Sequence, residues 1–240
     1  MRIDWRRARV LTFDCYGTLI DWKTGILDVL RPWARVNAIE ATNADLIDSY
    51  NAAEAAAQQE NPKALYTTVL RSTMDRIAAA WNITSSTSAR DTLASSVGDW
   101  PAFPDTAAAL RLLQRHYKLV VVSNVDHASF ARTSPKLGVE LDGLVTAEDI
   151  GVYKPDVRML RAGVDLARRW GATFDRVVHV AQSVYHDITP ARQMGLATVW
   201  VDRQRQCEAG PTGSGIDPRP DVHVHSLGEL ASIVENATAE

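Results

Sequence analysis

The chain has 240 residues, of which 26 are Lys or Arg and 29 are Asp or Glu, so its formal net charge is −3. A hydrophobic fraction of 46% and a charged fraction of 23% are typical of a globular protein with a sizeable core. The absence of a basic run argues against nucleic acid as a partner. No apolar run approaches the length of a membrane span or a signal sequence, so we expect a cytoplasmic protein with no membrane partner.

The first predicted element is a buried strand over residues 9–14, an apolar and β-branched run that ends at Asp14 and precedes Gly17. From residue 24 to about residue 97 there is no strand pattern, and Ala, Leu, Glu, Gln and Arg recur at helical spacing. Asn43 is the predicted N-cap of one of these helices. We therefore predict a helical cap domain over residues 21–98, inserted into a core domain formed by residues 1–20 and 99–240.

After residue 104 the pattern returns to strands alternating with helices. Predicted strands cover residues 119–123, 143–146, 176–181, 197–201 and 222–224. Predicted helices cover residues 107–116, capped by Asp105, and residues 127–137, 155–170, 189–194 and 227–234. A Gly- and Pro-rich loop is predicted over residues 204–219.

The alternation indicates an α/β fold, a Rossmann-like parallel sheet with helices on both faces and the helical cap inserted after the first strand. In such sheets the ligand lies beyond the carboxyl ends of the strands. Asp14, Ser123 and Ala181 are all predicted at such ends.

The two cysteines have no metal-ligand spacing. Cys15 lies at the end of a predicted strand and Cys207 in a polar loop, so a disulfide is not expected. We predict two reduced thiols in a reducing compartment.

The strongest motif is an acid at a strand end followed by Gly and Thr in a turn, Phe13-Asp-Cys-Tyr-Gly-Thr-Leu19. It resembles the first motif of the haloacid dehalogenase (HAD) superfamily. Three further matches follow in the order of that family, each at a strand end or helix start: Ser123-Asn124, Lys154-Pro155 and Asp187. The resemblance covers nearly the whole chain and implies a hydrolase with an aspartate nucleophile.

The residue types suit that chemistry. A carboxylate is a weak nucleophile and must be aligned and kept ionised. An ammonium such as that of Lys154 at about 4 Å stabilises a carboxylate by ~4 kcal/mol at an effective dielectric of 20. Thr18 can orient Asp14, Ser123 and Asn124 can donate hydrogen bonds to substrate, and Asp187 can accept a proton from water or hold Lys154.

The phosphatases of this superfamily carry a second Asp two residues after the nucleophile, where this chain has Tyr16. Asp187 also has no neighbouring acid, so a magnesium site lacks ligands. The sequence with Tyr16 is similar to the type II (S)-2-haloacid dehalogenases. That resemblance implies no cofactor or metal, a small carboxylate substrate, water as the second reactant and a homodimer, with Asp14, Lys154 and Asp187 catalytic and Tyr16, Thr18, Ser123 and Asn124 at the substrate.

The chain departs from that branch in three places. The resemblance implies a cap arginine that receives the halide, and residues 36–45 contain none. Leu160 stands where a Tyr is expected, and Gln182 and Val184 where Ser and Asn are expected. The sequence offers Arg35, Arg71 or Arg76 as other cations, and Tyr16, Tyr66 or Gln182 as other hydrogen-bond donors.

Three interpretations remain open. The first is dehalogenation of a 2-halo carboxylic acid, and the second is another substitution at carbon by Asp14, such as opening a strained heterocycle. The third, ranked last, is a metal-dependent phosphatase or a non-catalytic binding protein. His179 and His186 are interpreted as packed side chains without a convincing partner, and Trp22 as a wall of the pocket.

Overall fold

The computed structural model describes residues 3–204 and 219–239. Its core is a six-stranded, fully parallel sheet with the order β3-β2-β1-β4-β5-β6. The strands are β1 (Val10–Phe13), β2 (Lys118–Ser123), β3 (Gly143–Thr146), β4 (Val177–Ala181), β5 (Ala197–Val201) and β6 (Val222–Val224). The predicted Rossmann-like fold is confirmed.

The central strands are buried on both faces, which explains their continuous apolar sequences. β1 lies between β2 and β4, so the chain leaves β1 toward β2 and β3 and later returns to its other side as β4. Loops that diverge in this way open a crevice at the carboxyl ends of the strands. Asp14 follows β1 directly and therefore lies in that crevice.

Four helices connect β1 to the rest of the core: α1 (Trp22–Val36), α2 (Asn43–Glu60), α3 (Tyr66–Ala80) and α4 (Thr87–Ser95). They occupy the predicted cap range, and the division into two domains at residues 21 and 98 stays a prediction. The N-cap of α2 is Thr42 rather than Asn43. Thr42 and Asp45 form a reciprocal capping box, which satisfies two free backbone N–H groups and fixes the start of the helix one residue earlier.

The core helices are α5 (Thr106–Leu113), α6 (His127–Thr133), α7 (Ala147–Ile150), α8 (Val157–Ala167), α9 (Thr189–Gln193) and α10 (Leu227–Thr238). Asp105 is the N-cap residue of α5, as predicted, but its side chain makes no capping hydrogen bond, because its carboxylate accepts hydrogen bonds from Arg203 and from the Gly228 N–H. The helix predicted from residue 155 begins two residues later, with Asp156 as its N-cap. A π-helical turn, Val184–Ile188, precedes α9 and was not predicted.

Among the described residues, no helix combines the length and the apolar character needed to cross a bilayer. Cys15 is a buried free thiol, and burial raises its pKa. Cys207 and most of the predicted loop 204–219 lie outside the described residues.

A close contact between Gly25 and Trp100 ties α1 to one wall of the crevice. A Cβ atom at Gly25 would overlap the Trp100 ring, which is itself buried. We expect Gly25→Ala to lower the free energy of unfolding by about 1–3 kcal/mol, because the ring has no free space to move into. Gly228→Ala is the matched control, since its Cβ has no neighbour closer than 3.8 Å. Urea denaturation of both variants checks this, and equal midpoints would contradict it.

Candidate active site

Asp14 extends the line of β1, and its N–H donates to the Val180 carbonyl of β4 at 3.0 Å. Its side chain is nearly buried, with 7% of the residue exposed. The Thr18 hydroxyl donates to Asp14 Oδ2 at 2.7 Å and accepts a hydrogen bond from the Gln182 N–H at 2.9 Å. Thr18 is fully buried and touches the carboxylate rather than the cavity, so it orients Asp14.

Lys154 joins the two acids of the site. Its Nζ atom lies 2.7 Å from Asp14 Oδ1, 2.7 Å from Asp187 Oδ1 and 3.1 Å from the Val122 carbonyl oxygen. An ammonium has three N–H donors, and these three acceptors use all of them. The three charged side chains predicted from the sequence therefore form one buried cluster.

The charges of this cluster depend on one another. Burial raises the pKa of Asp14, and the Lys154 ammonium and the Thr18 hydrogen bond oppose that shift. Burial also opposes ionisation of Asp187, but Lys154 and His179 outweigh it and lower the pKa of Asp187 to about 2. Burial disfavours the Lys154 ammonium, and the two carboxylates outweigh this, so the pKa of Lys154 is raised. The Lys154 ammonium therefore favours the ionised form of both carboxyl groups, and at Asp14 burial opposes it.

His179 is a member of the site that the sequence analysis missed. Its Nε2 atom lies 3.0 Å from Asp187 Oδ1, and its Nδ1 atom lies 2.9 Å from the Thr12 hydroxyl. Both ring nitrogens are thus paired, and the expectation of no convincing partner is wrong for His179. His186 lines the cavity and contacts the Ser183 hydroxyl at 3.2 Å. No local signal in the sequence indicated this role, because His179 lies beside Thr12 only through the register of β1 and β4.

Two buried oxygen atoms at the site have no hydrogen-bond partner among the described residues, Ser123 Oγ and Asp187 Oδ2. Both residues line the cavity. Because a buried polar group without a partner is costly, these atoms are suited to bind substrate or water. Ser123 thus has the geometry predicted for a substrate contact.

Asn124 also lines the cavity, but its side chain is engaged by the backbone of Lys154. Its Oδ1 atom accepts from the Lys154 N–H at 2.6 Å, and its Nδ2 atom donates to the Lys154 carbonyl at 3.1 Å. This pair of hydrogen bonds holds Lys154 in place. A substrate contact by Asn124 stays a prediction.

The cavity has a volume of about 250 Å³, which suits a small substrate. Aromatic rings form much of its wall: Tyr16, Trp22, Tyr50, Tyr66 and Trp100. The Tyr16 ring packs edge-on against Trp100, and its hydroxyl lies 3.0 Å from the Thr133 hydroxyl. Trp22 forms part of the wall, as expected.

The cap contributes Trp22, Tyr50, Asn51, Glu54, Gln58 and Tyr66 to the cavity and no arginine. The candidate arginines lie elsewhere: Arg71 pairs with Asp91, Arg76 with Glu60, and Arg35 is exposed. The suggestion that one of these three arginines supplies a cation to the cavity is therefore wrong. Tyr16, Tyr66 and Gln182, the other candidate donors, do line it.

Lys154 pairs with one oxygen of each of the two acids of the site, Asp14 and Asp187. Outside the site, Asp202, His223 and His225 place their ligand atoms within 4.8 Å of one another. These three residues could hold an ion, but none of them lines the cavity.

Comparisons with known proteins agree with this geometry. The profile of the family described as haloacid dehalogenase-like hydrolase matches residues 8–195. The (S)-2-haloacid dehalogenase 4A of Burkholderia cepacia is 26% identical over 213 residues, covering 82% of this chain and 84% of the relative.

Two solved structures have the same fold. A defluorinating L-2-haloacid dehalogenase has a TM-score of 0.77 and 22% identity, covering 98% of this chain and 99% of its own. The L-2-haloacid dehalogenase of Xanthobacter autotrophicus with chloropropionic acid covalently bound has a TM-score of 0.76 and 18% identity, covering 95% and 98%. With the matched profile spanning most of the sequence, the chain belongs to the haloacid dehalogenase-like hydrolase family.

Proposed function

We propose that this chain hydrolyses a small 2-substituted carboxylic acid through a covalent ester on Asp14, and that 2-halo acids are the first substrate class. The contact of Asp14 with Lys154 in a cavity of about 250 Å³ carries this proposal. The ammonium keeps the nucleophile ionised, while partial burial removes the water that would weaken it. The dehalogenase relative, aligned over 82% of the chain, supports the same class.

The reaction has two steps. An oxygen of Asp14 bonds to the C2 carbon of the substrate, and the bond to the leaving group breaks with its electron pair on that group. Water then attacks Cγ of Asp14 and one of its protons passes to Asp187. The Cγ–O bond to the substrate breaks with its electron pair on the substrate oxygen, which takes up the second proton of that water. The product is a 2-hydroxy acid, and Asp14 keeps one oxygen from water.

The side-chain contacts of the site support each step. Lys154 and Thr18 hold the two oxygens of Asp14. Ser123 Oγ is available to the substrate, and Asp187 Oδ2 is available to the attacking water. His179 and Lys154 hold the other Asp187 oxygen, so Asp187 is aligned as a proton acceptor.

A second candidate is the opening of a strained heterocycle by Asp14. One observation favours it: the cap contributes Glu54, and no arginine, to the lining of the cavity that Asp14 also lines. Phosphatase activity has less support, because Lys154 bridges the two acids and Tyr16 replaces the acid that would protonate the leaving group.

A single turnover in heavy-oxygen water tests the proposal. We expect (S)-2-chloropropionate to leave one heavy oxygen in the peptide that contains Asp14, detected by mass spectrometry, with halide released in the presence of a chelator. Label only in the product, or strict dependence on magnesium, would contradict the covalent route or its independence of metal.

We expect Asp187→Asn to slow breakdown of the ester by about 10²–10⁴-fold, since an amide cannot accept the proton of the attacking water. The ester should then accumulate after a burst of halide equal to the enzyme concentration. Rapid quenching followed by mass spectrometry of the Asp14 peptide measures this. An unchanged steady-state rate, or a loss of the burst itself, would assign Asp187 to a different step.

The cytoplasmic location and the homodimer expected from the sequence are part of this proposal. Sedimentation velocity over a range of protein concentrations tests the dimer. A single species with the mass of one chain at every concentration would refute it.

A further inference from the structure

The cap side of the cavity carries a connected polar group that the reaction above does not use. Tyr50, Glu54 and Gln58 lie four residues apart on one face of α2, and Tyr66 begins α3. Gln58 Nε2 donates to Glu54 Oε1 at 2.5 Å, Tyr66 hydrogen-bonds Glu54, and the Tyr50 and Tyr66 hydroxyls are 3.0 Å apart. We call these four residues the cap cluster. All of them line the same cavity as Asp14.

The charges around this cavity are unusual for a site that binds an anion. Among the described residues that line it, Lys154 is the only Lys or Arg, and its three donors are already used. Glu54 is the carboxyl group that the cap contributes to the lining. A leaving group that departs with a negative charge therefore receives no cation from the cap, and an ionised Glu54 would repel it.

Burial raises the pKa of Glu54 to about 7, and the hydrogen bonds from Tyr66 and Gln58 lower it by less. A carboxylic acid with such a pKa is matched to donating a proton near neutral pH. Burial lowers the pKa of His186, so His186 is neutral in the same pH range.

Other ionisable groups line the two spaces that Glu54 lines. Burial raises the pKa of Tyr153, which precedes α8, and the nearby charge of Glu54 raises it further. Glu54 also lines an outer groove that adjoins the cavity. The ionisable residues around these two spaces are Tyr50 and Lys63 in the cap, Tyr66 on α3, Tyr153, Lys154, Asp156 and Arg158 before and on α8, Tyr185, His186 and Asp187 on the π-helical turn, and Tyr16 and Asp14 after β1.

We propose that Glu54, in its protonated form, is the donor to the leaving group, in the place where a cation would otherwise stand. The proposal rests on the covalent function of Asp14 and adds the group that acts on the opposite side of the substrate. Gln58 and Tyr66 hold the Glu54 carboxyl in the lining of the cavity that Asp14 also lines, and from there the acid would donate to the departing atom.

The chemistry of the donor depends on the leaving group. With a halide, the carbon–halogen electron pair leaves on the halide, and Glu54 donates a hydrogen bond without losing its proton. With a three-membered oxygen ring, the carbon–oxygen electron pair stays on the ring oxygen, which takes the proton of Glu54. Solvent then returns a proton to Glu54. In both cases the bond to Asp14 forms as the other bond breaks.

Two variants and two probes separate these cases. Glu54→Gln keeps a neutral hydrogen-bond donor but has no proton to give, and Glu54→Ala keeps neither. Glu60→Gln is the matched control, because Glu60 is exposed at the end of the same helix. The probes are (S)-2-chloropropionate and oxirane-2-carboxylate, which share a three-carbon skeleton. Halide or diol release is measured from pH 5 to pH 9, with heavy-oxygen labelling of Asp14 in each protein.

For the wild type and Glu60→Gln, we expect kcat to fall about tenfold per pH unit above pH 7, as Glu54 ionises. Glu54→Ala should lose about 10²–10³-fold in kcat. If the substrate is the halide, Glu54→Gln should keep most of the rate and lose the fall above pH 7. If the substrate is the strained ring, Glu54→Gln should be as slow as Glu54→Ala. Either result supports the proposal.

Wild-type labelling of Asp14 together with unchanged rates and pH profiles in both Glu54 variants would overturn the proposal and leave the covalent function intact. An absence of label with both probes would overturn the covalent function and the proposal with it. Melting temperatures provide a substrate-free check. A raised pKa in the folded state makes ionisation destabilising. The melting temperature of Glu54→Gln should therefore exceed that of the wild type by more at pH 8.5 than at pH 5. An equal difference at the two values of pH would count against a titrating Glu54.

Discussion

Replacing Asp14 by Asn should lower kcat by roughly 10³–10⁶-fold, the range expected when a covalent nucleophile is removed. The amide cannot form the ester, although it can keep the shape and the Thr18 contact of the carboxylate. The variant should fold, because Lys154 keeps Asp187 as a partner. Steady-state release of halide and heavy-oxygen labelling of the peptide at residue 14 measure the effect.

Asp28→Asn is the matched control for this prediction, since Asp28 is exposed on α1. It should keep the activity of the wild type. Mass spectrometry must also exclude deamidation of the new Asn, which would restore the nucleophile. Substantial turnover in an Asp14→Asn protein that remains fully amidated would end the covalent mechanism.

Replacing Lys154 by Met should be the most destabilising change at the site, by about 3–5 kcal/mol, and should also abolish activity. Met has a similar length but leaves Asp14 and Asp187 as two buried acids without a counterion. Removing one partner of a buried ion pair is costly because the other charge stays desolvated. Urea denaturation measures the free energy of unfolding.

The pH dependence of that loss has a defined sign. In the wild type the pKa of Asp187 is lowered to about 2, so its contribution is present at neutral pH and is lost only as pH falls through that value. Without Lys154 the two carboxyl groups should titrate above their unfolded values. Lys154→Met should therefore be more stable at pH 5 than at pH 8.

Lys118→Met provides the surface comparison, because Lys118 pairs with Asp142 while about half exposed. An exposed ion pair contributes about 0–1 kcal/mol, so this variant should unfold near the wild-type midpoint at both values of pH. If Lys154→Met unfolds with the same free energy as Lys118→Met, the buried triad does not stabilise the fold.

Much of the core could be predicted from local pattern. Three strands have the predicted bounds, β2 and β4 differ by one residue at one end, and β1 differs by one residue at each end. Helix starts were less predictable. Thr42 rather than Asn43 caps α2, because the Thr42 side chain is the one that accepts a hydrogen bond from the N–H of Asp45, the third residue of the helix. Asp105 was assigned a local role, whereas its partners Arg203 and Gly228 are about a hundred residues away.

The residues of the active site also divide into those that could be predicted from the sequence and those that could not. Asp14, Ser123 and Asp187 could be found because parallel strands bring their carboxyl ends to one edge of the sheet. His179 could not be found in this way, since a histidine within an apolar strand is interpreted as a packed side chain until its partners from β1 and the π-helical turn are known. Asn124 was assigned to the substrate, and only the fold shows that Lys154 engages its side chain.

By itself, the sequence determined the sheet, the inserted helical segment and the acid at the end of β1, because each depends on periodicity and turn residues within a few positions. The tertiary structure alone decided that Lys154 lies between Asp14 and Asp187 and that the cap brings Glu54, rather than an arginine, to the cavity lined by Asp14. Those contacts join residues 33 to 140 positions apart or place cap residues over the core. Their distances follow from packing of the whole chain, which no local pattern contains.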